Sequence, residues 1–463
     1  MDTESSEFAL GLVEGGLSEA FYRLGDLKTC RVHSERALRH FGQHVPRGPA
    51  GWMGAAIWQG LLRGAQTIAR MRARNAAARP VASEIARVQL RLTDTFFYSL
   101  DLGGILWSSI RVVNQCEPAG PLPELAQGYA ILALLAGAAG THRLATRWAR
   151  RALTIAEGTG IPRNVAWIRS RLAVYHVAEC RWAECEAGVR HAAEVAERVG
   201  DQRLWEEART QYALLAVYRG RFEESLALFR EVQRLSRRSG NQQIACWGTL
   251  GEGGALCRLG RDEDGVRILV EALAAIDEQT MRAEAITGFG ILALARLRTR
   301  DPAGAFEAAD RAVGHIRTMK AVAYWTQPGI AGAAEVLLSL LAVGWAPTPA
   351  VRARLSTQGR EAVLAMRRFA RHFPLGRPYA ALWSGTAAWI AGRARRAHRL
   401  WERAIALAEQ LGTPYECARA HLEVGRYLPT DSPDRLHHLH RAEELFDKLG
   451  SVRDAAVARA EGG

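Results

Sequence analysis

The densest group of side chains that could hold a metal is the run His437-His438-Leu439-His440. On a helix, His437 and His440 lie three residues apart and could reach one zinc ion. No third ligand follows at a suitable spacing, so the run favours an exposed, basic helix face. Asp262-Glu263-Asp264 resembles an acidic clamp, but it follows a Gly-Arg turn, where carboxylates stabilise a helix N-terminus. We therefore predict no metal site and no cofactor.

Sequence motifs of catalysis are absent. The phosphate-binding pattern G-x-x-x-x-G-K-[ST] does not occur, and none of the three lysines (Lys28, Lys320 and Lys448) follows such a glycine frame. The patterns D-D-x-x-D, H-E-x-x-H and G-x-S-x-G are absent as well. The sequence predicts a protein that is not an enzyme and has no catalytic residues.

Arginine supplies most of the positive charge, which exceeds the negative charge by 13. Arginine clusters at 143–151, 234–238, 367–371 and 393–399 could provide an electrostatic footprint for nucleic acid. Glutamates are interspersed through the chain and no nucleic-acid reader motif accompanies the arginines. A mixed, solvated surface is therefore favoured, with a nucleic-acid-binding helical repeat as the alternative.

The overall composition is that of a folded chain outside the membrane. Of the 463 residues, 48% are hydrophobic and 24% are charged. The longest apolar run, residues 129–139, is shorter than the roughly 18 residues that a membrane span needs. The first residues are acidic, unlike a secretory signal, which predicts a cytoplasmic protein. The seven cysteines are odd in number and form no C-x-x-C pair, so we expect buried, reduced thiols.

A 40-residue period is the strongest signal in the sequence. Small or apolar residues recur at this spacing, and so do helix-ending residues and turn residues. The first track is Ala152, Ala192, Val232, Ala272 and Ala312; the second is Gly160, Gly200 and Gly240; the third is Gly140, Cys180, Gly220, Gly260 and Arg300. Alanine allows two helices to pack closely, and glycine ends a helix in the left-handed conformation. The shared register predicts an all-α stack of antiparallel helix pairs, an α-solenoid.

The order of residue types within one period resembles the tetratricopeptide repeat. The matching positions are Leu132, Ala133, Ala136, Gly140, Ala145, Ala149 and Ala152, and again Ala213, Ala216, Gly220, Ser225, Phe229 and Val232. The usual period is about 34 residues, so a period of 40 implies longer helices. This variant, with the segments 18–25, 376–379 and 412–420, resembles the C-terminal helical-repeat region of bacterial adenylate/guanylate cyclase-type and related signal-transduction ATPases. Without a nucleotide-binding loop, the resemblance implies a regulatory arm that lacks its own ATPase or cyclase domain.

The repeat register divides the chain into five predicted parts. These are an N-terminal helical hairpin (1–41), irregular helix pairs (42–125), regular tetratricopeptide-like repeats (126–320), a divergent helix pair (321–375) and C-terminal repeats (376–463).

Two tryptophans mark the candidate binding surface. Trp167 and Trp247 are 80 residues apart, which is two periods, so they occupy equivalent places on the first helix of a repeat. In the tetratricopeptide frame, this place and the position three residues later face the concave groove. The predicted groove residues are Trp167, Ser170, Glu207, Thr210 and Trp247. Aromatic anchors among polar groups suit a protein or peptide partner, and packing between neighbouring helices is the alternative explanation for the tryptophans.

Overall fold

A computed structural model describes residues 3–68, 79–319 and 323–463. Within these residues the chain forms 22 α-helices, three short 3-10 turns and no β-strand, which confirms the all-α helical-repeat fold. The helices are α1 (Thr3–Leu24), α2 (Leu27–His40), α3 (Gly48–Ile68), α4 (Arg79–Tyr98), α5 (Leu102–Cys116), α6 (Pro123–Ala138), α7 (His142–Gly158), α8 (Pro162–Ala178), α9 (Trp182–Val199), α10 (Gln202–Tyr218), α11 (Phe222–Ser239), α12 (Gln242–Arg258), α13 (Asp262–Ala274), α14 (Arg282–Arg298), α15 (Pro302–Thr318), α16 (Gln327–Ala342), α17 (Pro349–His372), α18 (Arg377–Ile390), α19 (Ala394–Leu411), α20 (Pro414–Tyr427), α21 (Pro433–Lys448) and α22 (Val452–Gly462). None of the described helices is long and apolar enough to cross a bilayer.

The chain separates into two compact units. Unit 1 consists of Met1–Tyr175, Glu184–Ala208 and Leu235–Ile244, and unit 2 consists of His176–Ala183, Arg209–Arg234 and Ala245–Gly463. In unit 1, the core includes Trp52, whose ring lies 4.9 Å from the ring of Phe96 and 5.1 Å from that of Trp107. In unit 2, one buried cluster is built around the rings of Tyr415, Phe222 and Phe446.

Consecutive helices pack as antiparallel pairs within each unit. Examples are α1 with α2, α4 with α5 and α6 with α7 in unit 1, and α14 with α15, α18 with α19 and α20 with α21 in unit 2. The small residues of the first sequence track lie inside, since Ala152, Ala192, Val232, Ala272 and Ala312 are all buried. This burial agrees with the predicted close approach of paired helices.

The residues of the second track (helix ends) and of the third track (turns) adopt the left-handed backbone conformation. The glycines at 140, 160, 200, 220, 240 and 260 all have φ between 66° and 79°. Cys180 and Arg300 have φ of 57° and 63° at the same step of the register, although neither residue is glycine. The predicted turn and helix-end positions are thereby confirmed.

The register also continues into residues 42–125. Leu100, which lies 40 residues before Gly140, has a φ of 55°, and Val112, 40 residues before Ala152, is fully buried. Leu100 does not indicate the repeat in the sequence, because leucine is not a residue expected at a left-handed turn. The described part of the chain leaves out residues 69–78 and 320–322, and the second of these ranges includes Lys320.

All seven cysteines lie in the described residues and are free thiols. Five are buried, and Cys180 and Cys246 are half-buried. Burial raises the pKa of the Cys185, Cys246 and Cys257 thiols to about 12, so these groups are protonated at neutral pH. Cys185, Cys246 and Cys257 therefore pack as small apolar side chains, as the sequence predicts.

Candidate partner-binding sites

The five predicted groove residues lie on three helices. Trp167 and Ser170 are on α8, Glu207 and Thr210 are on α10, and Trp247 is on α12. Trp167, Ser170 and Glu207 belong to unit 1, whereas Thr210 and Trp247 belong to unit 2. Trp247 is half-buried and the other four side chains are buried, with 6% of Trp167 and 4% of Glu207 exposed.

Glu207 is the centre of a buried polar network in unit 1. Its Oε1 atom accepts hydrogen bonds from the hydroxyl of Tyr98 at 2.8 Å and from that of Tyr22 at 3.2 Å. Arg203 Nε donates to the same oxygen at 3.1 Å, and Arg171 Nη2 lies 3.2 Å from Oε2. The carboxylate thus connects helices α1, α4, α8 and α10, so the chain's own N-terminal helices already occupy its hydrogen-bonding positions.

A second carboxylate, Asp94 on α4, completes the charge balance of this network. Arg91 Nη1 donates to Asp94 at 2.6 Å, and Arg171 Nη2 lies 3.5 Å from the other carboxylate oxygen. The guanidinium of Arg171 also lies over the ring of Trp167, 5.0 Å from its centre. Trp167, Arg171 and Glu207 are therefore brought together as parts of the interior of unit 1.

The pKa shifts show how strongly these arginines act on Glu207. Burial by itself raises the pKa of Glu207, but Arg171, Arg203 and the two tyrosine hydroxyls outweigh this effect and leave it below its usual value. At Asp94, burial dominates and the pKa is raised despite Arg91. The charged form of Glu207 is therefore stabilised by its surroundings, as expected of a structural ion pair.

Trp247 has a different environment in unit 2. Its indole Nε1 donates to Oε1 of Glu284 on α14 at 2.9 Å. Glu284 is buried, and burial raises the pKa of its carboxyl group despite this hydrogen bond. Trp247 thus combines a fixed indole N–H with a partly exposed ring, which is the arrangement of an aromatic anchor at a surface.

Unit 2 has its own buried network of arginines, tyrosines and carboxylates. Asp454 on α22 accepts from the hydroxyl of Tyr415 at 2.7 Å and from Arg298 Nη2 at 2.8 Å. Arg419 lies 3.0 Å from Glu335 and joins α20 to α16. These contacts join α14, α16, α20 and α22 within unit 2.

The acidic run at 262–264 begins helix α13, as the sequence predicts. Asp262 has a further contact that the sequence does not indicate, because its carboxylate accepts from Arg453 Nη1 at 2.8 Å. The start of α13 is thereby tied to α22.

A cleft of about 660 Å³ opens in unit 1 near the N-terminal end of α3. Its polar and aromatic lining comprises Arg31, Glu35, Arg39, His44, Arg47 and Trp52. Glu35 pairs with Arg31 at 2.9 Å, and neither Arg39 nor Arg47 forms an ion pair with a described carboxylate. The cleft is therefore positively charged.

An exposed apolar stripe runs along α3. Met53, Ile57, Trp58 and Leu61 are between 47% and 64% exposed, whereas Trp52 on the opposite face is 2% exposed. Ile57, Trp58 and Leu61 follow Met53 by four, five and eight residues, which places the four exposed side chains on one face of the helix. Large exposed apolar patches beside polar groups mark interaction sites.

Helix α19 presents a second positive surface, in unit 2. Arg393, Arg395, Arg396 and Arg399 are exposed at its N-terminal end, and none forms an ion pair with a carboxylate in the described part of the chain. Four cations at a helix N-terminus oppose the helix dipole.

The histidine run of α21 divides between solvent and the neighbouring helix. His437 and His440 are exposed, whereas the half-buried His438 faces His421 on α20, with 2.8 Å between the two Nδ1 atoms. The i, i+3 pair considered from the sequence therefore lies on the surface. The residue between them, which the sequence did not single out, makes the contact.

Comparison with known proteins assigns the chain to no family. No protein-family model matches. A stretch of 155 residues is 28% identical to the regulatory protein AfsR of Streptomyces griseus; it represents 32% of this chain and 15% of AfsR. The chain thus spans only a small part of the length of that curated relative.

Two kinds of solved structure show a distant likeness. The human IFIT1 dimer with m7Gppp-AAAA has a TM-score of 0.45 and 15% identity, and the match covers 78% of this chain and 79% of that chain. A circular tandem repeat protein has a TM-score of 0.15 and 15% identity, with 99% of this chain and 95% of that chain covered. Likenesses at these TM-scores support no statement about function.

Proposed function

We propose that this chain is a non-catalytic interaction scaffold, a regulatory arm in bacterial signalling that binds a protein or peptide partner in the cytoplasm. Helical repeats of this kind expose large surfaces for partners. The partial match to a regulatory protein and the resemblance to the repeats of cyclase-type and related signalling ATPases support the regulatory role. Free, buried thiols suit a reducing compartment.

The observation that carries this proposal is the apolar stripe of α3 beside the basic cleft. Trp58 and Leu61 are 60% and 64% exposed, and burial of such side chains is worth roughly 25 cal/mol per Å² of apolar area. Arg39 and Arg47 place positive charge at one end of the stripe. The matching partner is an amphipathic helix with an apolar face and acidic residues at one end.

The test uses the partner identified by affinity capture with the full chain. Isothermal titration of that partner should show a loss of about 2 kcal/mol or more, roughly 30-fold in affinity, for Trp58→Asp. Arg47→Glu should lower the association rate and reduce its dependence on salt. Val343→Asp is the matched control, because Val343 is also an exposed apolar residue, 77% accessible, and lies in unit 2. Unchanged affinity in Trp58→Asp would refute the α3 surface.

The five groove residues remain a separate prediction about where a partner binds. Trp247 is the one with exposed ring area, so Trp247→Ala should weaken binding while preserving the fold if it is an anchor. Trp167→Ala should instead lower stability, because this side chain is buried against Arg171. Full affinity in Trp247→Ala, measured with the same partner, would remove the groove from the proposal.

Nucleic-acid binding is the second candidate, and the arginines of α19 favour it. Arg395, Arg396 and Arg399 are exposed without described acidic partners, as a phosphate-binding surface requires. Fluorescence anisotropy with single-stranded RNA and duplex DNA at about 50 and 200 mM salt tests it, because phosphate contacts weaken steeply with salt. Binding that is salt-dependent and is lost in Arg395→Glu/Arg399→Glu would establish this function; its absence at low salt would exclude it.

A further inference from the structure

Three consecutive helices of unit 2 bring four potential metal ligands together. Helix α19 contributes Glu409, α20 contributes Cys417 and His421, and α21 contributes His438. The ligand atoms of Glu409, Cys417 and His421 all lie within 4.8 Å of one another. His438 Nδ1 lies 2.8 Å from His421 Nδ1, which places a fourth donor beside the group.

The local sequence explains this convergence. Cys417 and His421 are four residues apart, so they project from the same face of α20. Gly412, with a φ of 66°, reverses the chain between α19 and α20 and returns Glu409 to the level of Cys417. Helix α21 then packs against α20 and brings His438 to His421. Only the spacing of Cys417 and His421 is visible in the sequence.

We propose that Glu409, Cys417, His421 and His438 form a zinc-binding site that joins α19, α20 and α21. One thiolate, two imidazoles and one carboxylate are all donors that zinc accepts in tetrahedral sites, with bonds of about 2.0 to 2.3 Å. Donors around such an ion are roughly 3.5 Å apart. The ligand atoms of Glu409, Cys417 and His421, which lie within 4.8 Å of one another, therefore need to approach by about 1 Å at most, and the exposed side chain of Glu409 can supply part of this movement. The Nδ1 atoms of His421 and His438 are only 2.8 Å apart, so these two rings need to separate slightly.

Two of the ligands lie in the interior of unit 2, because Cys417 and His421 are each 6% exposed. Zinc binding to Cys417 releases the thiol proton to solvent as the Zn–S bond forms.

One cation lies near the site. Arg441 on α21 acts on both Cys417 and His421, and its guanidinium is paired with Glu444 at 3.0 Å. The site does not depend on partner binding, because its ligands come from α19 to α21 of one unit. A bound zinc ion would stabilise the packing of these three C-terminal helices.

The full chain, freed of metal with a chelator, tests the proposal. Titration with zinc at micromolar concentration should show one bound ion, and bound cobalt should show the absorption of a thiolate-to-metal transition. His438→Ala should lower zinc affinity at least tenfold, and Cys417→Ser should abolish the cobalt absorption. His437→Ala is the matched control, because this neighbouring histidine is exposed and should leave both readings unchanged.

Three results would overturn the site. The first is the absence of stoichiometric zinc binding at micromolar concentration. The second is zinc binding by the His438→Ala and Cys417→Ser variants that equals that of the native chain. The third is a loss of zinc binding in His437→Ala as large as that in His438→Ala. Circular dichroism of each variant confirms that it is folded. If Cys417→Ser does not fold, the half-buried His438→Ala decides the question, since it removes a ligand with less loss of packing.

Discussion

Replacing Glu207 by alanine removes the carboxylate on which the buried network of unit 1 converges. The substitution deletes the acceptor of the Tyr98 and Tyr22 hydroxyls, at 2.8 and 3.2 Å, and the ion pairs to Arg203 and Arg171, at 3.1 and 3.2 Å. Both arginines remain in the interior with less opposing charge. We expect Glu207→Ala to be among the most destabilising single substitutions in the chain.

The magnitude follows from the burial of the pairs. Removing one partner of a buried ion pair costs about 3 to 5 kcal/mol, because the other charge stays uncompensated. Tyr98→Phe removes one hydrogen bond to a charged group, which is worth about 2 kcal/mol. In the Glu207→Ala background, the Tyr98 hydroxyl has already lost this acceptor, so Tyr98→Phe should then cost much less. The expected coupling energy between the two sites is therefore about 2 kcal/mol.

Urea unfolding followed by far-ultraviolet circular dichroism measures these changes. Helical signal is preferable to tryptophan fluorescence because the chain has 13 tryptophans distributed over both units. Glu197→Ala is the control, since Glu197 is an exposed glutamate on α9 in the same unit, and it should change stability by less than about 0.5 kcal/mol. The reasoning fails if Glu207→Ala costs no more than this control, or if Tyr98→Phe costs the same in both backgrounds.

Four further substitutions test the repeat register and the buried network of unit 2. Gly140→Ala should destabilise the chain by about 1 kcal/mol and Arg300→Gly should stabilise it by a similar amount, because both positions have positive φ and nothing crowds a Cβ at Gly140. The two substitutions should therefore shift the melting temperature in opposite directions. Shifts of the same sign would contradict the argument that a side chain at these positions strains the backbone. Ala192→Arg should lower the melting temperature strongly, since Ala192 is fully buried and the new charge has no partner; an unchanged melt would contradict the packing register. For Asp454, burial alone raises the pKa, but Arg298 and the other neighbours lower it overall, so its contribution is present above the unfolded value of about 4 and is lost as pH falls through the folded pKa. Asp454→Asn should therefore be less stable than the native chain at pH 7, and this difference should shrink in unfolding experiments below about pH 4.

The sequence alone determined the repeat and its turns. A left-handed residue is a local backbone requirement, and glycine meets it at the lowest cost, so Gly140, Gly220 and Gly260 were recognisable at their 40-residue spacing. Cys180 and Arg300 were found only because the register predicted turns there. Leu100 lies at the same 40-residue step before Gly140, but it was missed because leucine rarely adopts the left-handed conformation. Buried alanines were predictable for the same reason, since close helix pairing restricts side-chain size at each repeat.

The tertiary structure decided which side chains meet. Tyr22 contacts Glu207 across 185 positions of the chain, and no periodic pattern records such a pairing. Local spacing could indicate two pairs of this network, Arg203–Glu207 at i, i+4 and Arg91–Asp94 at i, i+3. Likewise, the contact of His421 with His438 depends on how α21 packs against α20. Backbone preferences depend on neighbouring residues, so they recur wherever the sequence pattern recurs. Contacts between distant residues depend on how many helices pack together, so only the folded chain specifies them.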